Sequence, residues 1–132
     1  MNSPNTLTAT AIVALGGGIG AMLRFHAGRA VTAFSGPNTV FPWGTFLINV
    51  SGSLLMGMLA GWLARHDGSE SLRLLLGVGV LGGFTTFSAF SLETAMMMQR
   101  GLYGMAGFYA LGSLLGGVAG LFLGLSMMRG AA

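Results

Sequence analysis

An all-α integral membrane fold, built from four transmembrane helices, is predicted by three observations. Charged side chains make up only 7% of the 132 residues, against 53% hydrophobic ones. A soluble domain averages about 25% charged residues, and so few charges leave too little polar surface to coat a globule in water. The charges are also confined to short intervals, because residues 1–23, 30–64, 74–92 and 101–128 carry none. Each charge-free stretch approaches or exceeds the about 20 residues of helix that cross a hydrocarbon core about 30 Å thick. None shows the polar face that a soluble bundle helix keeps at helical spacing.

The elements follow in order. Span one covers about 7–34, with Arg24, His26 and Arg29 in its later half. Ser35-Gly36-Pro37-Asn38 reads as a turn, and Pro42 is suited to the first turn of span two, about 42–64, where its missing N–H costs nothing. Arg65-His66-Asp67-Gly68-Ser69-Glu70 forms the wettest loop. Span three covers about 72–98, and span four about 102–128 after a tight Gln99-Arg100-Gly101 connection. Connections this short make sequential helices antiparallel neighbours, and residues 1–132 form a single four-helix membrane domain. The first residues, Met1-Asn2-Ser3-Pro4-Asn5-Thr6, lack a basic n-region, so no cleaved signal peptide is expected.

Composition narrows function. With no Cys, disulfides, thiolate metal sites and Cys chemistry are excluded. The six basic residues, all Arg, are dispersed, which is not a nucleic-acid footprint. No Gly-rich phosphate motif, nucleophile–base pair or carboxylate pair supports catalysis, so the chain does not read as an enzyme. Gly occurs 24 times and Met 10 times. Small residues let helix backbones approach in lipid, and Met fills irregular gaps. Gly112, Gly116, Gly120 and Gly124 on span four, with Gly57 and Gly61 on span two, are therefore expected packing ridges.

Orientation is nearly undetermined by charge. Arg65, Arg73 and Arg129 fall on one side, Arg24, Arg29 and Arg100 on the other, so the positive-inside rule has almost nothing to act on. Such a chain can insert both ways, which permits an antiparallel homodimer; a single orientation set by weaker cues is the alternative.

The most informative stretch is Gly79-Val80-Leu81-Gly82-Gly83-Phe84-Thr85-Thr86-Phe87-Ser88-Ala89-Phe90-Ser91 in mid-span three. Paired glycines followed by paired threonines make a poor helix centre, and the span is longer than a bilayer needs. Both point to a helix broken near the midplane, where non-helical backbone survives only against protein or a polar cavity. Freed carbonyls there can bind a cation, and half-helix N-termini favour anions. An unbroken packing helix, its Ser and Thr bonded to their own turn, is the plainer alternative. Phe87 and Phe90 lie three apart, on one face, and ring edges carry partial positive charge that can favour a small anion; simple packing is the commoner use. Asn49 is the strongest polar candidate in span two, as a donor or as an interhelical hydrogen bond. Tyr109, Ser113 and Gly117 repeat at four-residue intervals, so a hydroxyl track can run along span four. Glu93 and Arg24 are ionisable groups in or near spans. Glu93 suits a gate, a vestibule or a partnership with an Arg; Arg24 reads as structural, with a side chain able to snorkel. His26, His66, Asp67 and Glu70 read as interface and loop residues.

The run Gly82-Gly83-Phe84-Thr85-Thr86-Phe87-Ser88-Ala89-Phe90-Ser91, followed by Glu93, resembles the signature of the Fluc (CrcB) fluoride channels. Gly44-Thr45-x-x-x-Asn49-x-x-Gly52 resembles that family's second span, and Gly16–Arg24, with Gly20 and Ala21, its first. The resemblance covers essentially the whole chain. It implies a dual-topology antiparallel homodimer in the bacterial inner (plasma) membrane, with two pores that pass fluoride out of the cytoplasm down its gradient and so relieve fluoride toxicity. It further implies that Phe87 and Phe90 contact fluoride and that Asn49 donates along the path. Thr45, Ser88, Tyr109 and Ser113 would join that path, with Glu93 near one mouth. The backbone carbonyls of Gly82 and Thr85, from both subunits, would hold a structural, untransported sodium ion (Na+). Two departures stand out: family members usually carry Thr at the position of Ala89, and a Ser is common at that of Gly117.

Two other functions fit a four-helix chain. A small dual-topology, proton-coupled multidrug exporter would be expected to place an acid inside span one, which has none. A non-conducting membrane assembly subunit would use the Gly ridges but would have no need of the Gly-Gly-x-Thr-Thr-Phe break.

Overall fold

The computed structural model describes residues 4–66 and 68–130. Met1, Asn2 and Ser3 of the N-terminal stretch, Asp67 of the wet loop, and Ala131 and Ala132 lie outside the described residues. Helices account for the architecture, and no strand occurs among the described residues. Four helical spans are long and apolar enough to cross a membrane: Thr6–Ser35, Trp43–Arg65, Glu70–Gln99 and Tyr103–Met128. These match the four expected spans to within about two residues at most ends, the uncertainty common to helix boundaries.

Helix α1, Thr6–Ser35, starts where the Asn5 side chain accepts the Thr8 N–H at 2.9 Å, satisfying one of the donors left open at a helix start. It stops at Gly36, whose φ of +88° suits a residue without a Cβ. Helix α2, Trp43–Arg65, begins one residue after Pro42, which caps the helix instead of entering its first turn. The third span has two parts. Helix α3 takes residues 70–84, opened by Ser69, whose hydroxyl accepts the Leu72 N–H. Over Arg73–Leu81 it is π-wound, and the Gly82 N–H reaches back five residues to the Gly77 carbonyl. Helix α4, Phe87–Gln99, completes the span. Gly101, at φ +76°, turns the chain into α5, Tyr103–Gly130.

Glycine contacts fix the register. Gly16 lies against Gly79, and Gly20 against Val80 and Phe84, so α1 and α3 run parallel. A Cβ at Gly79 would lie 2.8 Å from the Gly16 Cα, and one at Gly20 would lie 2.8 Å from the Phe84 nitrogen. Gly116 touches Val50, Gly120 approaches Leu54, and Gly61 meets Leu125 and Met128, so α2 and α5 also run parallel. Gly52 against Thr85 and Gly77 against Leu59 make α2 antiparallel to α3. The spans therefore alternate in direction. The expected ridges at Gly57, Gly61, Gly116, Gly120 and Gly124 are the close surfaces between α2 and α5.

Few large side chains are buried. The central cluster is Phe41, Met97, Ala106 and Tyr109, with Phe46 and Phe90 packed against it. Leu114, Leu115, Phe122 and Leu123 on α5, like Leu15 and Phe25 on α1, remain exposed. An apolar exterior around a small core is what a bilayer solvent permits.

Candidate functional site

The third span is broken, and the break falls at Thr85 and Thr86, just after the paired glycines. Gly82 keeps helical angles. Thr85 is extended at φ −78°, ψ 158°, and Thr86 at φ −149°, ψ 122°. The position follows from two sets of contacts. Gly83 belongs to the close seam with α1, where its Cβ would lie 2.5 Å from the Gly17 carbonyl oxygen. Three residues on, at Thr86, Asn49 supplies the hydrogen bonds that the missing helical turn would have made. The Thr86 N–H donates to Asn49 Oδ1 at 2.8 Å, and Asn49 Nδ2 donates to the Thr86 carbonyl at 2.9 Å. A backbone N–H can only donate and a carbonyl only accept, so this pair also fixes the orientation of the Asn49 amide. One Nδ2 hydrogen remains for another acceptor.

Both broken ends are finished locally. Thr86 caps α4, its Oγ1 accepting the Ala89 N–H at 3.2 Å and lying 3.3 Å from Ser88 Oγ. The Thr85 hydroxyl donates back to the Leu81 carbonyl at 2.9 Å. Arg24 Nη1, from α1, donates to the Thr85 carbonyl at 3.3 Å. Arg24 thus reaches the break from another helix.

Glu93 is held by two hydroxyls. Thr45 Oγ1 donates to Oε1 and the Tyr109 hydroxyl to Oε2, each at 2.7 Å. Of the expected alternatives for Glu93, the Arg partnership gives way to this arrangement, which joins α2, α4 and α5. Tyr109 is wholly buried. Its ring meets Phe41 edge-on at 5.4 Å and lies 5.1 Å from Phe90. Phe90 in turn lies 5.7 Å from Phe87. The two rings share a face, but only Phe90 packs inward; Phe87 is 79% exposed.

Two hollows meet at the break. The larger, about 820 Å³, is lined by Arg24, Arg29, Thr45, Thr86, Ala89 and Glu93 among others. Arg29 also lies over the Phe25 ring at 5.6 Å. The smaller, about 370 Å³, is lined by Asn49, Ser53, Thr85, Thr86, Phe87, Phe90 and Ser113 among others. Thr86 lines both. One hollow offers two guanidinium groups; the other offers an amide, hydroxyls and ring edges in an otherwise apolar wall.

The structure brings Asn49, Phe87, Phe90 and Ser113 to one hollow, Thr45 and Glu93 to the other, and buries Tyr109 behind Glu93. Ser88 lies beside Thr86 and lines neither hollow. Among the described residues, no group of three or more His, Cys, Asp or Glu could hold a metal ion. The break also presents main-chain oxygen, the Thr85 carbonyl included. Sequence reasoning missed the Asn49–Thr86 pair, the reach of Arg24 to Thr85, and the sharing of Glu93 between Thr45 and Tyr109. The only local signal was a hydrogen-bonding residue type at each position.

Four apolar spans, one interrupted at mid-length and flanked by two hollows that carry a few polar side chains, define a small multi-pass membrane protein built around a broken helix. Residues 11–125 match the family model described as CrcB-like protein, Camphor Resistance (CrcB). A protein of Novosphingobium aromaticivorans named fluoride-specific ion channel FluC is 75% identical over 126 residues, 96% of this chain and all of that one. Fluoride-specific ion channel FluC 2 of Nitrobacter hamburgensis is 52% identical over 89% of this chain and 94% of its own. A FluC protein of Rhodopseudomonas palustris is 50% identical, with the same coverage of the two chains. The chain belongs to the CrcB family.

Proposed function

We propose that the protein is a fluoride-selective channel that lets fluoride leave the cytoplasm passively, and not an enzyme. The observation that carries this reading is the break in the third span beside a hollow that holds Asn49, Thr86 and Ser113, in a chain whose relative at 75% identity is named a fluoride-specific ion channel. Neutral HF crosses membranes, dissociates in a less acidic cytoplasm and leaves its anion trapped; a passive path returns that anion down its gradient.

Fluoride is small and tightly hydrated, so conduction needs donors that replace water in stages. The Arg24 and Arg29 guanidinium groups give the larger hollow an anion-attracting field. Beyond the break, the free Asn49 N–H, the Ser113 hydroxyl and the edges of Phe87 and Phe90 offer partial positive charge without a fixed cation that would hold the ion too tightly. Chloride is bulkier and repays its dehydration less well in so narrow a path.

The functional unit is a dual-topology antiparallel homodimer in the bacterial inner membrane. Balanced Arg on the two sides and the open, half-built hollow beside exposed Phe87 support it. A second chain would wall the smaller hollow and bring two breaks together. Sodium fits such a centre. The Thr86 N–H is committed to Asn49 at 2.8 Å, and α3 ends at the carbonyls of residues 82–85. A carbonyl that already accepts from Arg24, like that of Thr85, has a second lone pair, and unwound main-chain oxygens suit Na+. Gly82 and Thr85 of each chain would hold it; its charge would fasten the two carbonyl clusters together.

The exporter alternative is not favoured, because the relatives are named channels and α1 contains no acid. Expression in a bacterial strain stripped of fluoride export tests the proposal. Restored growth in millimolar fluoride is expected; growth no better than with empty vector overturns it.

A further inference from the structure

Membrane-spanning helices usually spend their hydroxyls at home. Ser51, Ser91, Thr94 and Ser126 each donate to a carbonyl three or four residues earlier, the cheapest way to satisfy an O–H away from water. Ser53 and Ser113 do not. Ser113 Oγ is buried and has no hydrogen-bond partner among the described residues. The Ser53 hydroxyl has none there either, although the Asn49 carbonyl stands one turn back. Both residues line the smaller hollow.

Their placement is related. On α5, the position one turn beyond Ser113 is Gly117. A Cβ built there would lie 3.4 Å from Ser53 Oγ, and nothing else comes within 4 Å. The absent side chain leaves room that the Ser53 hydroxyl faces from α2. Two hydroxyls without a partner among the described residues, one from each helix and about one helical turn (5.4 Å) apart along the axis, therefore stand on residues that line one hollow. An anion is the ligand whose chemistry suits unpaired donors in an apolar wall.

We infer that Ser53 contacts the conducted fluoride, supplying from α2 the hydroxyl that α5 lacks at Gly117 and extending the donor path beyond Ser113. This rests on the channel reading above. Removal of one donor to a charged ligand slows a rate by about 10-fold. In liposome efflux, Ser53→Ala is expected to lose about that much fluoride rate while eluting with the same oligomeric size as the parent. The added change Gly117→Ser returns an O–H to the same space and is expected to restore most of the rate. Should Ser53→Ala fail to assemble, Ser53→Cys, close in size but a weak donor, carries the same expectation and the same rescue.

Parental conduction by Ser53→Ala overturns the inference and leaves the channel reading intact. So does a slowed, correctly assembled Ser53→Ala that Gly117→Ser does not recover, since shape and not the hydroxyl would then matter. A parent protein that passes no fluoride overturns both.

Discussion

Replacing Asn49 with Ala removes the clamp that lets span three break inside the membrane. Two hydrogen bonds disappear, at 2.8 and 2.9 Å, leaving the Thr86 N–H and carbonyl without their partner at mid-span. An abandoned buried polar group costs about 1–3 kcal/mol, so two would cost about 2–6 kcal/mol. Interhelical hydrogen bonds measured within membranes average about 0.6 kcal/mol, because the reference state finds other partners. The lower part of the range, about 2 kcal/mol, is therefore the expected loss. Ser51→Ala is the matched control, since Ser51 is exposed and only bonds back to the Ile48 carbonyl; it should stay within about 0.5 kcal/mol of the parent. Asn49→Asp should be worse than Ala, losing the donor to the Thr86 carbonyl and adding a charge that costs about 2.5–3.5 kcal/mol at a helix centre. Equilibrium unfolding in mixed micelles, followed by fluorescence of Trp43 and Trp62, reads all three. If Asn49→Ala falls within about 0.5 kcal/mol of Ser51→Ala, the break does not depend on the clamp.

Tyr109→Phe keeps the buried ring but removes one of the two donors to Glu93; a stability loss of about 1 kcal/mol and slower fluoride efflux are expected from the same unfolding and flux assays. Gly20→Val should prevent folding or assembly, because its Cβ alone would press on Val80 and Phe84, whereas Gly17→Ala, with nothing within 4 Å, should elute normally on size exclusion. Phe90→Ile removes the inward ring and should lower fluoride flux without changing oligomeric size; an unchanged efflux rate would count against a ring contact. Purification without sodium should lower the unfolding midpoint if Gly82 and Thr85 hold that ion, and an unchanged midpoint would contradict it.

Much of the fold was legible because lipid imposes a simple rule: long charge-free stretches become spans, and short connections alternate their direction. The existence of a break was legible too, since Gly82-Gly83 beside Thr85-Thr86 is unfavourable at a helix centre. Its position was not. Gly83 looks like the weak point in sequence, yet its small size is used for contact with Gly17, and the bonds that replace the helix come from Asn49, 37 residues away. The π-winding of Arg73–Leu81 left no readable pattern either. Site residues were visible singly: Glu93, Thr45 and Tyr109 were each named, but their joining depends on the packing of three helices. Arg24 read as a snorkelling side chain because sequence shows its length, not the Thr85 carbonyl within its reach.

The most direct measurement is ion-selective electrode recording of efflux from liposomes containing only this protein, loaded in parallel with fluoride and with chloride. Rapid fluoride release with chloride retained is the expected result. Retention of both ions, or equal release of the two, would contradict a fluoride-selective path through the broken span.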